Sequence, residues 1–195
     1  MRNTLVLLSV LLLAVPSAAI VSKRPNWRAY RHRMVSKHAL AASAGHAGAG
    51  QLVNAPREWG WGPVGFAKRF GSGLATHAVK TGIEMGVGAL HHENLHYQRS
   101  NQSGTLPRLK YAVESTFIVP KTNRPGKTVA AGRVSGAIGA GLVSRAWQPA
   151  SAAGLGAGLA SGGIALGADV GVNVAREFWP QKHHARRVAQ ARHSR

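Results

Sequence analysis

"VAAGRVSGAIGAGLVSRAW", residues 129–147, and "ASAAGLGAGLASGGIALGADVGVNVAREFW", residues 150–179, decide the fold. Pro149 stands between them, as expected of a tight connection between two helices. Glycines recur four residues apart: Gly132 and Gly136, then Gly154, Gly158 and Gly162, then Gly163, Gly167 and Gly171. Each glycine inside a helix costs about 1 kcal/mol relative to alanine, so this many need a compensating gain. Close approach of helix backbones along a small-residue groove supplies one. Gly132, Gly136, Gly154, Gly158, Gly162 and Gly167 are therefore expected at helix contacts. Leu155, Leu159, Leu166, Val170, Val174 and Phe178 keep a bulkier stripe on the last segment. A strand reading is weak, because β-branched and aromatic residues are sparse in both stretches.

Upstream, Phe66, Phe70, Leu74, His77/Ala78, Thr81, Met85, Gly88/Ala89 and His92 recur at spacings of three and four, which predicts a helix over 65–97. Gly82 and Gly86 repeat the glycine spacing within it, and the polar run 98–104 ends it. A second helical piece is expected over 108–117, followed by a loop with two prolines over 119–127. The segment 39–63 is rich in Ala, Gly and Ser and reads as irregular, with Trp59 and Trp61 as anchors onto the domain. The fold class is all-α, a compact bundle of about four helices packed through small residues. The expected divisions are a signal peptide over 1–19, a basic arm and Ala/Gly-rich linker over 20–63, a helical domain over 64–180 and a basic tail over 181–195.

The first residues point to export. Arg2 gives a basic start, Leu5 to Val15 is an apolar run of signal-peptide length, and Pro16 precedes the small residues Ser17, Ala18 and Ala19. Cysteine is absent, which removes thiol catalysis, disulfides and Cys-based metal sites. Lys and Arg number 25 against 6 Asp and Glu. The cations crowd both ends: Lys23, Arg24, Arg28, Arg31, Arg33 and Lys37 at one, Lys182, Arg186, Arg187, Arg192 and Arg195 at the other. Such ends are drawn to polyanions. Export argues against nucleic acid and for an anionic envelope component or lipid surface, with a protein partner also possible. The plainer reading is a solvated tail that aids solubility, to which His183 and His184 also belong.

The segment 150–168 is nineteen residues without a charge, long enough to cross a bilayer. It is mostly Ala, Gly and Ser, and Asp169 and Arg176 cut it short. A packed bundle helix is the preferred reading, and a small integral membrane protein with Gly-packed helices is an alternative.

His92-Glu93-Asn94-Leu95-His96 spells H-E-x-x-H. Two histidines four apart on one helix face can hold a zinc ion while the glutamate activates its water. His92 and His96 would be ligands, Glu93 the base and Glu114 a third ligand. A chain with 10 histidines spells this pattern by accident in roughly one case in a hundred. The extended form of the motif fails, since Arg99 and Gln102 stand where Gly and His belong. Glu84, Asp169 and Glu177 are the other possible acid–base groups, and of these Asp169 and Glu177 suit ion pairs before catalysis. Asp169 and Glu177, eight apart, are expected to pair with Arg133 or Arg145 across the bundle.

"LHHENLHY", "RLKYAVESTFI" and "RVSGAIGAGLVSRAWQP", with "GFAKRFGSG" at 65–73, resemble a family of uncharacterised exported bacterial proteins. In these an H-x-D-P-R-Y stretch precedes an Arg-led helix and a small-residue helix ending in an aromatic and Pro. The likeness spans about residues 61–149. His92 and Tyr97 match its motif, while Asn94, Leu95 and His96 stand where the family has Asp, Pro and Arg. The resemblance implies an exported, mainly helical, envelope-associated protein with no known activity, and makes His96 a local substitution. The leading expectation is thus a non-enzymatic envelope structural or interaction protein without a cofactor. A zinc-dependent peptidase is the enzymatic alternative.

Overall fold

The computed structural model describes residues 27–179. In chain order these form α1 (Trp27–Met34), α2 (Lys37–Leu52), α3 (Gly62–Leu90), α4 (Thr105–Phe117), β1 (Ile118–Pro120), β2 (Lys127–Val129), α5 (Ala131–Val143) and α6 (Leu155–Phe178). Short 3-10 turns at Arg57–Trp59, Ser144–Ala146 and Ala150–Ala152 link them. The all-α bundle expected from sequence is what forms, as one eight-residue helix and five longer ones with a small hairpin.

α5 lies between α3 and α6, and its glycines explain how closely. A Cβ placed on Gly132 would lie 2.7 Å from the Glu84 carbonyl oxygen and 2.9 Å from Gly88 Cα. One on Gly136 would lie 2.9 Å from the Lys80 carbonyl oxygen. On the other flank, a Cβ on Gly141 would run into the Gly158 carbonyl and sit 2.8 Å from Gly162 N, and one on Gly162 would lie 2.8 Å from Ile138 Cα. The obstacles are backbone atoms, so no side chain can move aside. Gly132, Gly136, Gly158 and Gly162 thus stand at helix contacts as their spacing foretold. Gly154 and Gly167 do not: a Cβ on either meets nothing within 4 Å among the described residues. The spacing marks faces of a helix but does not say which face finds a neighbour.

Three stretches differ from their sequence reading. Residues 39–63 hold most of α2 rather than an irregular linker. Alanine is the best helix former, and the Ser36 hydroxyl caps the start by accepting from Ala39 N at 3.1 Å. Ala39, Ser43 and Ala47 then bury one small face, and a Cβ on Gly73 of α3 would lie 3.4 Å from Ser43 Cβ. The helix expected to reach residue 97 stops at Leu90. His92 takes the left-handed conformation (φ 54°) and Glu93 N donates back to the Gly88 carbonyl at 2.8 Å. The proline loop after α4 is a β-hairpin, pairing Ile118 with Val129, Val119 with Thr128 and Pro120 with Lys127.

The interior is small or polar. Among the described residues the buried apolar ones are six alanines and Val119, and the largest fully buried side chains are Arg69, Glu177, Thr116 and Ser144. Every buried side-chain nitrogen and oxygen among the described residues has a hydrogen-bond partner. Much of the bulky apolar material faces outward instead, including Leu106, Leu155, Ile164 and Trp179.

Candidate functional site

A helix leaves its last four carbonyls without partners, and that end carries partial negative charge. In this protein arginine side chains meet such carbonyls at the ends of α4, α5 and α6. Arg133, on α5, donates to the Ser115 and Thr116 carbonyls at the end of α4 (3.0 and 2.7 Å) and to the Leu95 carbonyl (3.0 Å). Arg145 donates to the Gly141 carbonyl at 3.1 Å and the Ala152 carbonyl at 2.5 Å, joining the end of α5 to the approach to α6. Burial lowers its guanidinium pKa from the usual arginine value.

Arg69 is the most enclosed of them, 1% exposed. Its five N–H groups meet five neutral acceptors: the carbonyls of Ala55, Pro56 and Gly60 and the side chains of Gln51 and Asn54, at 2.7–3.2 Å. It ties the loop after α2 onto α3. Trp61, expected as an anchor there, is largely exposed. Glu58, in the same loop, accepts from Ser151 N and Oγ at 3.2 and 2.8 Å. Its own backbone N–H, then the Ser151 hydroxyl, lower its pKa.

The densest constellation closes the end of α6. Glu177, fully buried, accepts from Tyr97 Oη at 2.7 Å, Ser100 N at 3.1 Å, Ser100 Oγ at 2.6 Å and Arg108 Nε at 2.9 Å. Arg99 and Arg108 both donate to the Glu177 carbonyl, and Arg99 reaches the Trp179 carbonyl at 3.2 Å. The Arg108 guanidinium also lies 4.7 Å from the Phe178 ring centre. Burial alone would raise the Glu177 carboxyl, but hydrogen bonds from Ser100, Arg108 and Tyr97 outweigh it and hold the pKa at about 2. Tyr97 is pushed the other way, far above the usual phenol range, first by burial and then by the carboxylate it serves. Four donors on an anion held ionised form an anchor rather than a proton donor.

The H-E-x-x-H residues are placed differently from the expectation. His92, Glu93 and His96 lie beyond the end of α3, so the histidines do not share a helix face. His92 and His96 are exposed, whereas Glu93 is buried and accepts from Gly132 N at 3.0 Å, capping the start of α5. Glu114 is exposed on α4 and faces Lys110 at 3.7 Å. His96 and Glu114 do line one cleft, with Tyr97, Tyr111, Lys127 and Arg133, but its volume is about 90 Å³ and His92 is not part of it. No three His, Asp or Glu side chains among the described residues gather as a metal site would require.

Asp169 and Glu177 form ion pairs, though not with Arg133 or Arg145. Asp169 meets Lys80 of α3 at 2.6 Å, and Glu177 meets Arg108. Arg133 and Arg145 are occupied by carbonyls. Of the cations assigned to surface binding, Arg28, Arg31, Arg33 and Lys37 are exposed on and just after α1. Lys23, Arg24, Lys182, Arg186, Arg187 and Arg192 lie outside the described residues, as do the signal-peptide reading of 1–19 and the tail 181–195.

Sequence reasoning missed Arg69, Arg99, Arg108 and Ser100 as structural groups. One signal was present: a helical domain with many arginines and few acids must find neutral acceptors for any arginine it buries. Compared with known proteins, the chain matches no family model, no curated protein and no solved structure.

Proposed function

We propose that this is a non-enzymatic structural or interaction protein of the cell envelope, exported by its N-terminal segment and held at anionic surfaces by its basic ends. The resemblance to exported envelope-associated proteins, carried by residues 61–149, agrees with this. One observation carries the reading: Arg28, Arg31, Arg33 and Lys37 are all exposed, and no acid occurs between Trp27 and Arg57. Interior arginines spend their donors on carbonyls and offer none to an outside partner, while α1 presents its cations to solvent. The zinc-hydrolase alternative gains no support from the positions of His92, Glu93 and His96.

The test is binding of the mature chain to vesicles with and without phosphatidylglycerol, and to an acidic polysaccharide matrix, across a salt series. The expected result is preference for the anionic surfaces, weakening as the screening length falls below about 10 Å. Replacing Arg28, Arg31 and Arg33 together by Glu should lower that binding. Equal affinity for anionic and neutral surfaces would overturn the reading.

A further inference from the structure

The outward side of α6 is apolar over most of its length. From Leu155 to Ala175 its exposed positions carry no charged or polar side chain. The polar residues within that span all turn inward and are satisfied there. Ser161 accepts from Arg145 at 3.3 Å, Asp169 from Lys80 at 2.6 Å, and Asn173 donates to Thr116 at 2.9 Å. Leu155 is 76% exposed, Ile164 73% and Trp179 71%. The helix has 24 residues and is apolar enough, by length and composition, to enter a membrane.

We infer that this face seats in the acyl region of an anionic lipid bilayer, with α6 lying along the membrane plane; this rests on the anionic-surface reading above and names its partner. Three observations select lipid over a protein. The face offers no hydrogen-bonding side chain to orient a protein partner, and lipid requires that absence. Residues 180–195 follow α6 directly and hold Lys182, Arg186, Arg187, Arg192 and Arg195 with no acid, a polybasic segment suited to anionic headgroups. Trp179 stands exposed at the junction, where an amphipathic ring favours the membrane–water boundary. An in-plane position follows from what covers the other side. α4 packs along α6 and carries Lys110 and Glu114, whose side chains are 75% and 56% exposed. A spanning orientation would carry these into hydrocarbon, whereas an in-plane one leaves them in water.

The absence of cysteine allows a direct test, since Ala168→Cys gives one labelling site on the exposed face. The mature chain carrying an environment-sensitive fluorophore there is mixed with phosphatidylglycerol vesicles at low salt and at about 1 M salt. The expected result is a blue-shifted probe, quenched by nitroxides on the acyl chains, and a bound fraction that persists at high salt. A probe at Glu114→Cys should remain in water. Ile164→Glu, at an exposed position, should keep the melting temperature and low-salt binding but cut the salt-resistant fraction about tenfold. Binding that salt releases completely, with an aqueous probe at 168, overturns the insertion and leaves the anionic-surface reading standing. Absence of binding by the unaltered chain at low salt overturns both. A lipid-free dimer abolished by Ile164→Glu would assign the face to a second copy and overturn the proposal.

Discussion

Over its first half α6 meets α5 backbone to backbone, with Gly158 and Gly162 against Gly141. At its last turn it meets α4 and the 91–104 loop through a buried carboxylate, two arginines, a tyrosine and a serine. The seam depends on volume, with Arg145 beside it donating to the Gly141 carbonyl and Ser161. The clamp depends on charge and hydrogen-bond geometry. One helix is therefore fixed by two contacts that should fail under different insults: a single methyl group for the seam, a single proton for the clamp.

The largest effect is expected from Glu177→Ala. It strips four donors of their acceptor and leaves Arg108 without its carboxylate, a loss of about 3–5 kcal/mol. Urea denaturation should show it as a lower midpoint, and an unchanged midpoint would mean that the clamp contributes nothing to stability. Acid should reproduce part of this effect. The Glu177 pKa is about 2 when folded against an ordinary 4.5, so the folded state favours its charged form. Its stabilisation is complete above about pH 4.5 and fades as the pH falls toward 2. Urea midpoints measured across that window should fall more steeply for the native protein than for Glu177→Gln. Since the Glu58 carboxyl is also held below its ordinary value, by its own backbone N–H and the Ser151 hydroxyl, the difference between the two curves is the informative quantity.

The seam is probed next. Gly141→Ala drives a methyl group into the Gly158 carbonyl, and overpacking of this kind costs about 1–3 kcal/mol. The loss should be the same at pH 7 and pH 3, which separates it from the clamp, whose contribution fades over that interval. Gly167→Ala, across on α6, is the reverse case. Its Cβ meets nothing within 4 Å, so alanine should stabilise by about 1 kcal/mol, seen as a raised melting temperature. Equal behaviour of the two variants would dissolve the distinction between closed and open faces. The smallest effect belongs to His92→Gly. The left-handed backbone at φ 54° suits glycine better than histidine, and a gain of about 0.5–1 kcal/mol is expected from thermal melts.

Legibility in the sequence followed the same divide. Glycines four apart announced helices that pack closely, because the period of a helix is local and needs no knowledge of partners. Alanine-rich α2 was misjudged, because few bulky residues resembled little to bury. Its small face packs as tightly as a larger one would. The end of α3 was also missed: His92 turns the chain so that Glu93 can cap α5, whose first turn lies 39 residues further on. The clamp left the faintest trace, since Glu177 is joined to Tyr97, Ser100 and Arg108 across 80, 77 and 69 residues.

What the sequence determined by itself was the all-helical class, the small-residue manner of packing and the basic character of its ends. These are matters of period and composition, each contained in a short window of chain. Tertiary structure decided which glycine faces close and which stay open, and which arginines are absorbed by helix ends. It also placed Glu93 and Glu177 as anchors while leaving His92 and His96 at the surface. Those outcomes depend on atoms brought together from distant parts of the chain, where burial, backbone carbonyls and hydrogen-bond geometry set the energy of each group.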